Sequence, residues 1–219
     1  MSKELEFEAN DQSIEDALFQ NYIYKIPRYQ RPYAWTEDEI SELWNDIQDE
    51  NGSIFIGSFI FNQGTLETDG YLEVVDGQQR ILTVTILIAA IRDLVQLIDP
   101  GLARFYHTRK IVVEGDYQKW SPRIICGDST RPYFEKYIQS TDEVIQQSIP
   151  STDEEKLIKN NYLFFKNKVS SELEKFESAE KKIDYIKSLV VCQSSILGYR
   201  VFNLIRASAV VNRQRNLTI

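Results

Sequence analysis

Histidine is nearly absent from this 219-residue chain, with His107 the only one. Any Ser–His or Cys–His catalytic pair would have to use that residue. A histidine–metal nuclease centre, which draws on more than one histidine, is excluded. Cysteine is almost as scarce. Cys126 and Cys192 lie far apart with no histidine nearby, so neither a metal-binding spacing nor a disulfide framework is present. They read as free, buried thiols of a reducing compartment. No Gly-x-x-x-x-Gly-Lys-Ser/Thr loop occurs, which excludes a P-loop enzyme. Long apolar runs are missing too. The longest, Ile81 to Ile91, contains threonines, gives way to Arg92 and Asp93, and is too short to span a bilayer. The stretch from Met1 to Asn10 is acidic and polar and does not read as a secretory signal. No repeat or low-complexity segment interrupts the chain. These absences point to a cytoplasmic globular protein with no membrane partner.

Positive charge is also in deficit, with 25 Lys and Arg against 33 Asp and Glu, a net charge of −8. A general nucleic-acid coat is therefore not expected of the chain as a whole. The deficit is uneven. No acidic residue follows Asp184, while Lys187, Arg200, Arg206, Arg213 and Arg215 do. This basic end reads first as a solvated tail, with phosphate contact as the alternative.

Hydrophobic periodicity orders the elements. A short helix is expected over 11–20, with Ile14, Ala17 and Leu18 on one face. A strand follows over Tyr22–Ile26, ended by Pro27. Thr36 and Glu39 have the spacing of a capping box. Ile40, Leu43, Trp44 and Ile47 then form one face of an amphipathic helix. Residues 54–62 and 71–75 read as two strands of a hairpin around a polar turn. The helix from Gln78 to about Ile98 is apolar nearly all round and must be buried, with Pro100-Gly101 stopping it. Residues 102–122 carry no clear pattern. A short strand at 123–126, a helical stretch from Arg131, a long helix from Ser151 to about Phe176 and another over 179–191 complete the order. The fold class expected is α+β, with a mixed α/β N-terminal half (10–100) and a mostly helical remainder (101–219).

Two polar clusters carry chemistry. The first is Val75-Asp76-Gly77-Gln78-Gln79-Arg80-Ile81-Leu82-Thr83, where a strand turns at glycine into the apolar helix. Glycine permits a sharp turn and a close backbone approach. The first amides of the new helix lack intrahelical partners and favour anions. Gln78, Gln79 and Arg80 add polar and cationic side chains, so a phosphate-bearing ligand suits the corner. The plainer alternative is that Asp76 only caps the helix. The second cluster is Ile26-Pro27-Arg28-Tyr29-Gln30-Arg31-Pro32-Tyr33-Ala34-Trp35. Two prolines stiffen it. Arginine makes forked bonds to phosphate, and aromatic faces can stack a base. Trp35 stands just before the N-cap and reads first as helix-entry packing. Gln30 and Arg31 read as functional.

These two blocks, with Phe55-Ile56-Gly57-Ser58 between them, resemble in order and spacing the N-terminal domain of GmrSD-type modification-dependent restriction endonucleases. The resemblance covers about residues 10–98 well and the helical remainder loosely. It implies a ParB/sulfiredoxin-like nucleotide-binding fold. It also implies nucleoside triphosphate binding and hydrolysis with Mg²⁺, coupled to defence against phage or modified DNA. Carried over, the family's signature falls on Asp76, Gly77, Gln78, Gln79 and Arg80, and the first block's Gln-Arg on Gln30 and Arg31.

The expectations that follow place catalysis on Asp76, Gln79 and Arg80, with Asp76 at the metal. Gln30, Arg31, Tyr33, Gly77, Gln78, Arg80 and Thr83 would bind the nucleotide, and Gln78 or Gln79 would position water. Related proteins are usually longer, and many carry a histidine-centred nuclease domain. A chain truncated relative to the family is therefore expected, with a nuclease domain or subunit and DNA as partners. The alternative function is a non-catalytic module whose arginines contact DNA backbone phosphate.

Overall fold

The computed structural model of the chain describes residues 7–48, 55–114, 119–142, 144–191 and 195–201. Its architecture is α+β. Six strands make one mixed sheet in the order β1-β8-β3-β4-β2-β7. Here β1 is Phe7–Ser13, β2 Tyr24–Lys25, β3 Phe55–Asn62, β4 Leu72–Asp76, β7 Ile124–Ile125 and β8 Ser195–Val201. β3 and β4 form the expected antiparallel hairpin, with Phe61 opposite Val74. β2 runs parallel to both β4 and β7. A two-stranded antiparallel sheet of β5 (Val112–Glu114) and β6 (Trp120–Pro122) stands apart.

The sheet is closed at its β7 edge by a side chain. The Gln139 amide accepts from Ile124 N at 2.9 Å and donates to Ile124 O at 2.8 Å. One glutamine thus supplies both bonds a neighbouring strand residue would make, and the edge offers no open pair to another chain.

The axis of the molecule is α4, Gln78–Val95. From Ile81 to Ile91 every side chain is buried, as an all-round apolar pattern requires. Phe59, Phe61, Leu72 and Val74 from the sheet pack into the same core cluster as Ile158, Tyr162, Phe165 and Val169. Those last four belong to α7, Asp153–Leu173, which packs against α4. Burying aliphatic or aromatic side chains of this size contributes about 1.5–3 kcal/mol each. The core around α4 is therefore the main source of stability. Helix α7 starts with a complete capping box: Thr152 Oγ1 accepts from Glu155 N, and Glu155 Oε2 accepts from Thr152 N. The amphipathic helix α2, Glu37–Gln48, buries Ile40, Leu43, Trp44 and Ile47 as its spacing dictates. No helix among the described residues is long and apolar enough to cross a membrane.

Several boundaries differ from the sequence reading. The helix expected over 11–20 shrinks to α1, Ile14–Leu18, because residues 7–13 pair with β8 instead. That pairing partner lies nearly two hundred residues away, beyond the reach of local periodicity. The polar turn at 63–70 contains a short helix, α3 (Gly64–Asp69), ended by Gly70 at φ 75°. α4 stops at Val95, and Pro100 opens the next helix rather than breaking the last. In α5, Pro100–Tyr106, the Asp99 carboxylate caps Gly101 N and Leu102 N. Proline fits there because the first helical amide has no partner to lose. The helical stretch from Arg131 is α6 (Arg131–Phe134) running into a π turn over Glu135–Gln139. α8, Ala179–Val191, falls where expected.

The pattern-free stretch 102–122 is organised by a residue that periodicity cannot flag. Arg123 is 4% exposed. Its guanidinium donates to the carbonyls of Lys110 (3.0 Å), Arg109 (2.8 Å), Val112 (3.1 Å), Tyr22 (3.3 Å) and Gln20. It thereby ties the π turn at His107–Ile111 and the segment before β2 to β7. A buried charge is tolerable only when its hydrogen bonds are met, and here carbonyls meet them. Removing the guanidinium takes a donor from each of those carbonyls, although Gln20 O keeps Tyr22 N at 2.8 Å, so Arg123→Leu is expected to lower unfolding free energy by about 3 kcal/mol. Arg123→Lys, with three donors on one atom, should recover only part of that loss. Urea unfolding of the three proteins measures both.

Candidate functional site

β4 ends at Asp76, and the chain turns at Gly77 with φ 92°. A Cβ at Gly77 would lie 2.7 Å from the buried Phe59 ring and 3.2 Å from Ser58 O. Only glycine fits the turn, both by conformation and by space. α4 begins directly after it with a residue in the cap position that has no side chain to occupy the first amides. Those amides, with the positive end of the helix dipole, face the corner.

Gly57 on β3 does the same service for Arg80. Its φ is 103°, and a Cβ there would sit 2.6 Å from Arg80 Cζ and Nε. The absent side chain makes the floor on which the guanidinium lies, and Arg80 reaches Ser58 O at 3.4 Å. This explains why the Gly57-Ser58 pair belongs with a motif more than twenty residues later.

The connector Pro27–Trp35 is bound to this corner through its backbone. Gln78 Nε2 donates to Arg31 O at 2.5 Å, and Gln79 Nε2 donates to Pro32 O at 3.0 Å. Gln79 Oε1 accepts from Ala34 N at 2.8 Å. Gln30 Nε2 donates to Val75 O at 2.9 Å. From behind, α7 holds the same segment. Glu154 Oε1 accepts from Tyr33 N at 2.6 Å and also from the Thr130 hydroxyl. Asn161 Nδ2 donates to Tyr33 Oη at 2.8 Å and to Trp35 O at 2.9 Å. The Tyr33 and Thr83 hydroxyls meet at 2.7 Å. Burial pushes the Tyr33 phenol up to about 12, so it stays a neutral hydrogen-bonding group.

Between corner and connector lies a cleft of ≈510 Å³ lined by Gln30, Arg31, Trp35, Asp76, Gly77, Gln78, Gln79 and Arg80. This size suits a small-molecule ligand. The structure thus gathers two sequence clusters more than forty residues apart onto one concave surface. Two of the expected ligand-contacting residues do not face it. Tyr33 and Thr83 are buried behind the wall, and their hydroxyls are spent on each other and on neighbours. The tyrosine ring is not open to stack a base from this side. Gln79 borders the cleft, but both ends of its amide hold the connector.

The ionic groups are differently placed. Among the described residues two cations, Arg31 and Arg80, and one anion, Asp76, line the cleft. Arg31 is exposed and Asp76 half-buried, and among the described residues neither is held in an ion pair. Among the described residues Asp76 is the only carboxylate in the lining, and no group of three metal-ligating residues occurs. A Mg²⁺ ion here would take its remaining ligands from water and from a bound phosphate chain, which is how that ion is commonly held.

His107, the sole histidine, is elsewhere. It borders Arg92 near the other end of α4, roughly 21 Å along the helix from Gln78. Arg92 NH1 lies 3.4 Å from His107 Nδ1 and 3.1 Å from Ile138 O, and Arg92 Nε pairs with Asp93 at 2.7 Å. Burial first and the guanidinium second hold the imidazole down to about 4, so it is neutral and structural. Two residues that shape the cleft escaped sequence reading. Asn161 stands on the otherwise apolar stripe Ile158, Tyr162, Phe165, and a polar residue there signals a buried partner. Glu154 gives no such signal, since acidic residues are ordinary in a first helical turn.

Comparison with known proteins follows the same lines. The model of the GmrSD restriction endonuclease N-terminal domain family matches residues 14–210. No curated protein matches the chain.

The two glycines should respond differently to substitution. Gly77→Ala is expected to cost about 2–3 kcal/mol, since it adds a ring clash to an unfavourable φ. Gly57→Ala should cost less, about 1–2 kcal/mol, because its φ is equally unfavourable for a side chain but the guanidinium it meets can swing away. Chemical denaturation tests the order of the two losses. For His107 the folded pKa lies below the unfolded one, so the unfolded chain binds the proton first. Its contribution to stability is complete above the unfolded value of ~6.5 and declines as pH falls toward 4. Replacing it with Gln should flatten that part of the stability–pH curve.

Proposed function

The chain belongs to the GmrSD restriction endonuclease N-terminal domain family, and from that premise we propose that its cleft binds and hydrolyses a nucleoside triphosphate. In this reading it is the nucleotide-dependent regulatory domain of a cytoplasmic restriction or phage-defence system, with a nuclease domain or subunit as the cutting partner. The ParB/sulfiredoxin-like nucleotide-binding fold implied by the sequence resemblance is part of the same reading. One observation carries it. Arg31 and Arg80, which make no ion pair among the described residues, the helix start at Gly77 and the carboxylate of Asp76 converge on one ligand-sized cleft.

The roles follow from chemistry. The free amides of α4 and the Arg80 guanidinium hold phosphate oxygens, and Arg31 reaches the same chain from the connector. Both arginines lower the cost of charge developing on the transferring phosphoryl group. Asp76 orients the attacking water. Mg²⁺, when bound through the phosphates and Asp76, supplies further charge neutralisation. Gln78 and Gln79 act one step back, fixing Arg31 and the connector at the working distance. Tyr33, Thr83, Asn161 and Glu154 support that wall from inside.

The test measures nucleotide binding and phosphate release with Mg²⁺ for the wild type, Asp76→Ala and Arg80→Ala. Arg80→Ala should weaken binding by roughly tenfold or more. Asp76→Ala should retain binding within a few-fold and lose release by about a hundredfold. Equal, negligible nucleotide binding in all three proteins overturns the reading.

A further inference from the structure

Away from the cleft lies a groove of ≈460 Å³ lined by Phe19, Asn21, Thr108, Arg109, Glu114 and Trp120. Strand direction separates the two sites. Asn21 precedes β2, whereas Gln30 and Arg31 follow it, and β2 runs parallel to β4, which ends at Asp76. The cleft therefore occupies the C-terminal ends of these strands and the groove the N-terminal end of β2. The two linings share no residue.

The groove belongs to the stretch that Arg123 organises. All three nitrogens of that guanidinium are committed to carbonyls, so it supplies structure rather than a ligand contact. The groups above it are uncommitted. Among the described residues the side chains of Asn21, Arg109, Glu114 and Trp120 make no hydrogen bond or ion pair. Trp120 is 45% exposed and stands opposite Glu114 across the β5–β6 ladder, which puts indole and carboxylate side by side. An indole left open in a concave wall, among polar groups without partners, is a surface prepared for a flat ligand.

Local charge runs against that of the chain. Residues 102–123 hold Arg104, Arg109, Lys110, Lys119 and Arg123 against Glu114 and Asp116, within a chain of net charge −8. Lys110 pairs with Glu15, which leaves Arg104, Arg109 and Lys119 as the exposed cations. Phe105, 48% exposed, lies next to Arg104 and one turn before Thr108. Rings interleaved with unpaired cations suit a strand whose bases stack while its phosphates follow the charge. Glu114 accepts from an exocyclic amino group such as cytosine N4. An acidic peptide would meet the cations and leave the rings unused. A free nucleotide would fill the groove and leave Arg104, Phe105 and Lys119 unused.

We propose that this groove binds single-stranded nucleic acid. Trp120 stacks one base, Arg109 holds the adjoining phosphate, and Arg104, Phe105 and Lys119 carry the strand beyond. The assignment is independent of the nucleotide reading of the cleft.

Titration of the full chain with an oligodeoxycytidylate of about ten nucleotides, followed by tryptophan fluorescence and by anisotropy of a labelled strand, tests this. Binding should quench fluorescence in the wild type and in Trp35→Phe. Trp120→Ala should lose the quench and weaken binding by about tenfold. Arg109→Ala, whose side chain is exposed and holds no partner, should weaken binding severalfold and reduce the salt slope by about 0.7. Arg80→Ala, in the cleft, should leave the affinity unchanged. Absence of binding to the wild type, or unchanged affinity in both Trp120→Ala and Arg109→Ala, overturns the proposal. A loss in Arg80→Ala as large as in Trp120→Ala moves the strand to the cleft and overturns it too. Polyglutamate or cytidine monophosphate binding as tightly as the strand assigns the groove to an acidic peptide or a free nucleotide instead.

Discussion

The site depends on two neighbouring glutamines reaching back from the first turn of a buried helix. Gln78 and Gln79 grip the backbone of Arg31, Pro32 and Ala34. Backbone is the right thing to grip, because it fixes where Arg31 and Trp35 emerge without constraining which side chains they are. The prolines on either side of Arg31's neighbourhood reduce the freedom that must be lost on ordering the segment. Gln79 spends both ends of its amide on the connector and Gln78 its nitrogen, so the charged groups that line the cleft are those of Arg31, Asp76 and Arg80.

Helix α4 makes this clamp stiff. A helix buried on every side cannot rotate to relieve strain at its first turn, so its N-terminal amides and Gln78–Arg80 are held as one unit. α7 locks the other side of the connector through Glu154 and Asn161. The wall is thus anchored to two helices that also pack against each other in the core. Stability and site geometry share the same interface: loosening α4 against α7 would misplace the connector before it unfolded the protein.

Much of this was legible beforehand. The buried character of α4 followed from an apolar pattern without a polar face, and the α2 face followed from the 40, 43, 44, 47 spacing. The β3–β4 hairpin and the glycine corner were readable from composition and order. The three blocks of the family resemblance identified the residues that line the cleft, and six of them, Gln30, Arg31, Asp76, Gly77, Gln78 and Arg80, offer it groups not spent on the connector or buried behind it, Gln30 and Gln78 only in part. Residue type carries no direction: Tyr33 and Thr83 have polar ends suited to a ligand, yet their hydroxyls meet each other at 2.7 Å behind the cleft, and Tyr33 borders a smaller adjoining cavity instead. The strand at 7–13, the carbonyl cage of Arg123 and the strand-like role of Gln139 were invisible because each depends on partners far along the chain.

The chain's sequence by itself determined the chemistry available: one histidine, two scattered cysteines, no P-loop, and a glycine corner followed by Gln-Gln-Arg. It also determined which segments would be helical or extended wherever burial is periodic, because periodicity is a local property of the backbone. Only the tertiary structure decided which polar groups face solvent and which face each other. A hydrogen bond between Gln79 and Pro32, or the floor that Gly57 provides for Arg80, exists only when two distant segments are packed at fixed distance. The packing of α4 against sheet and α7 sets that distance.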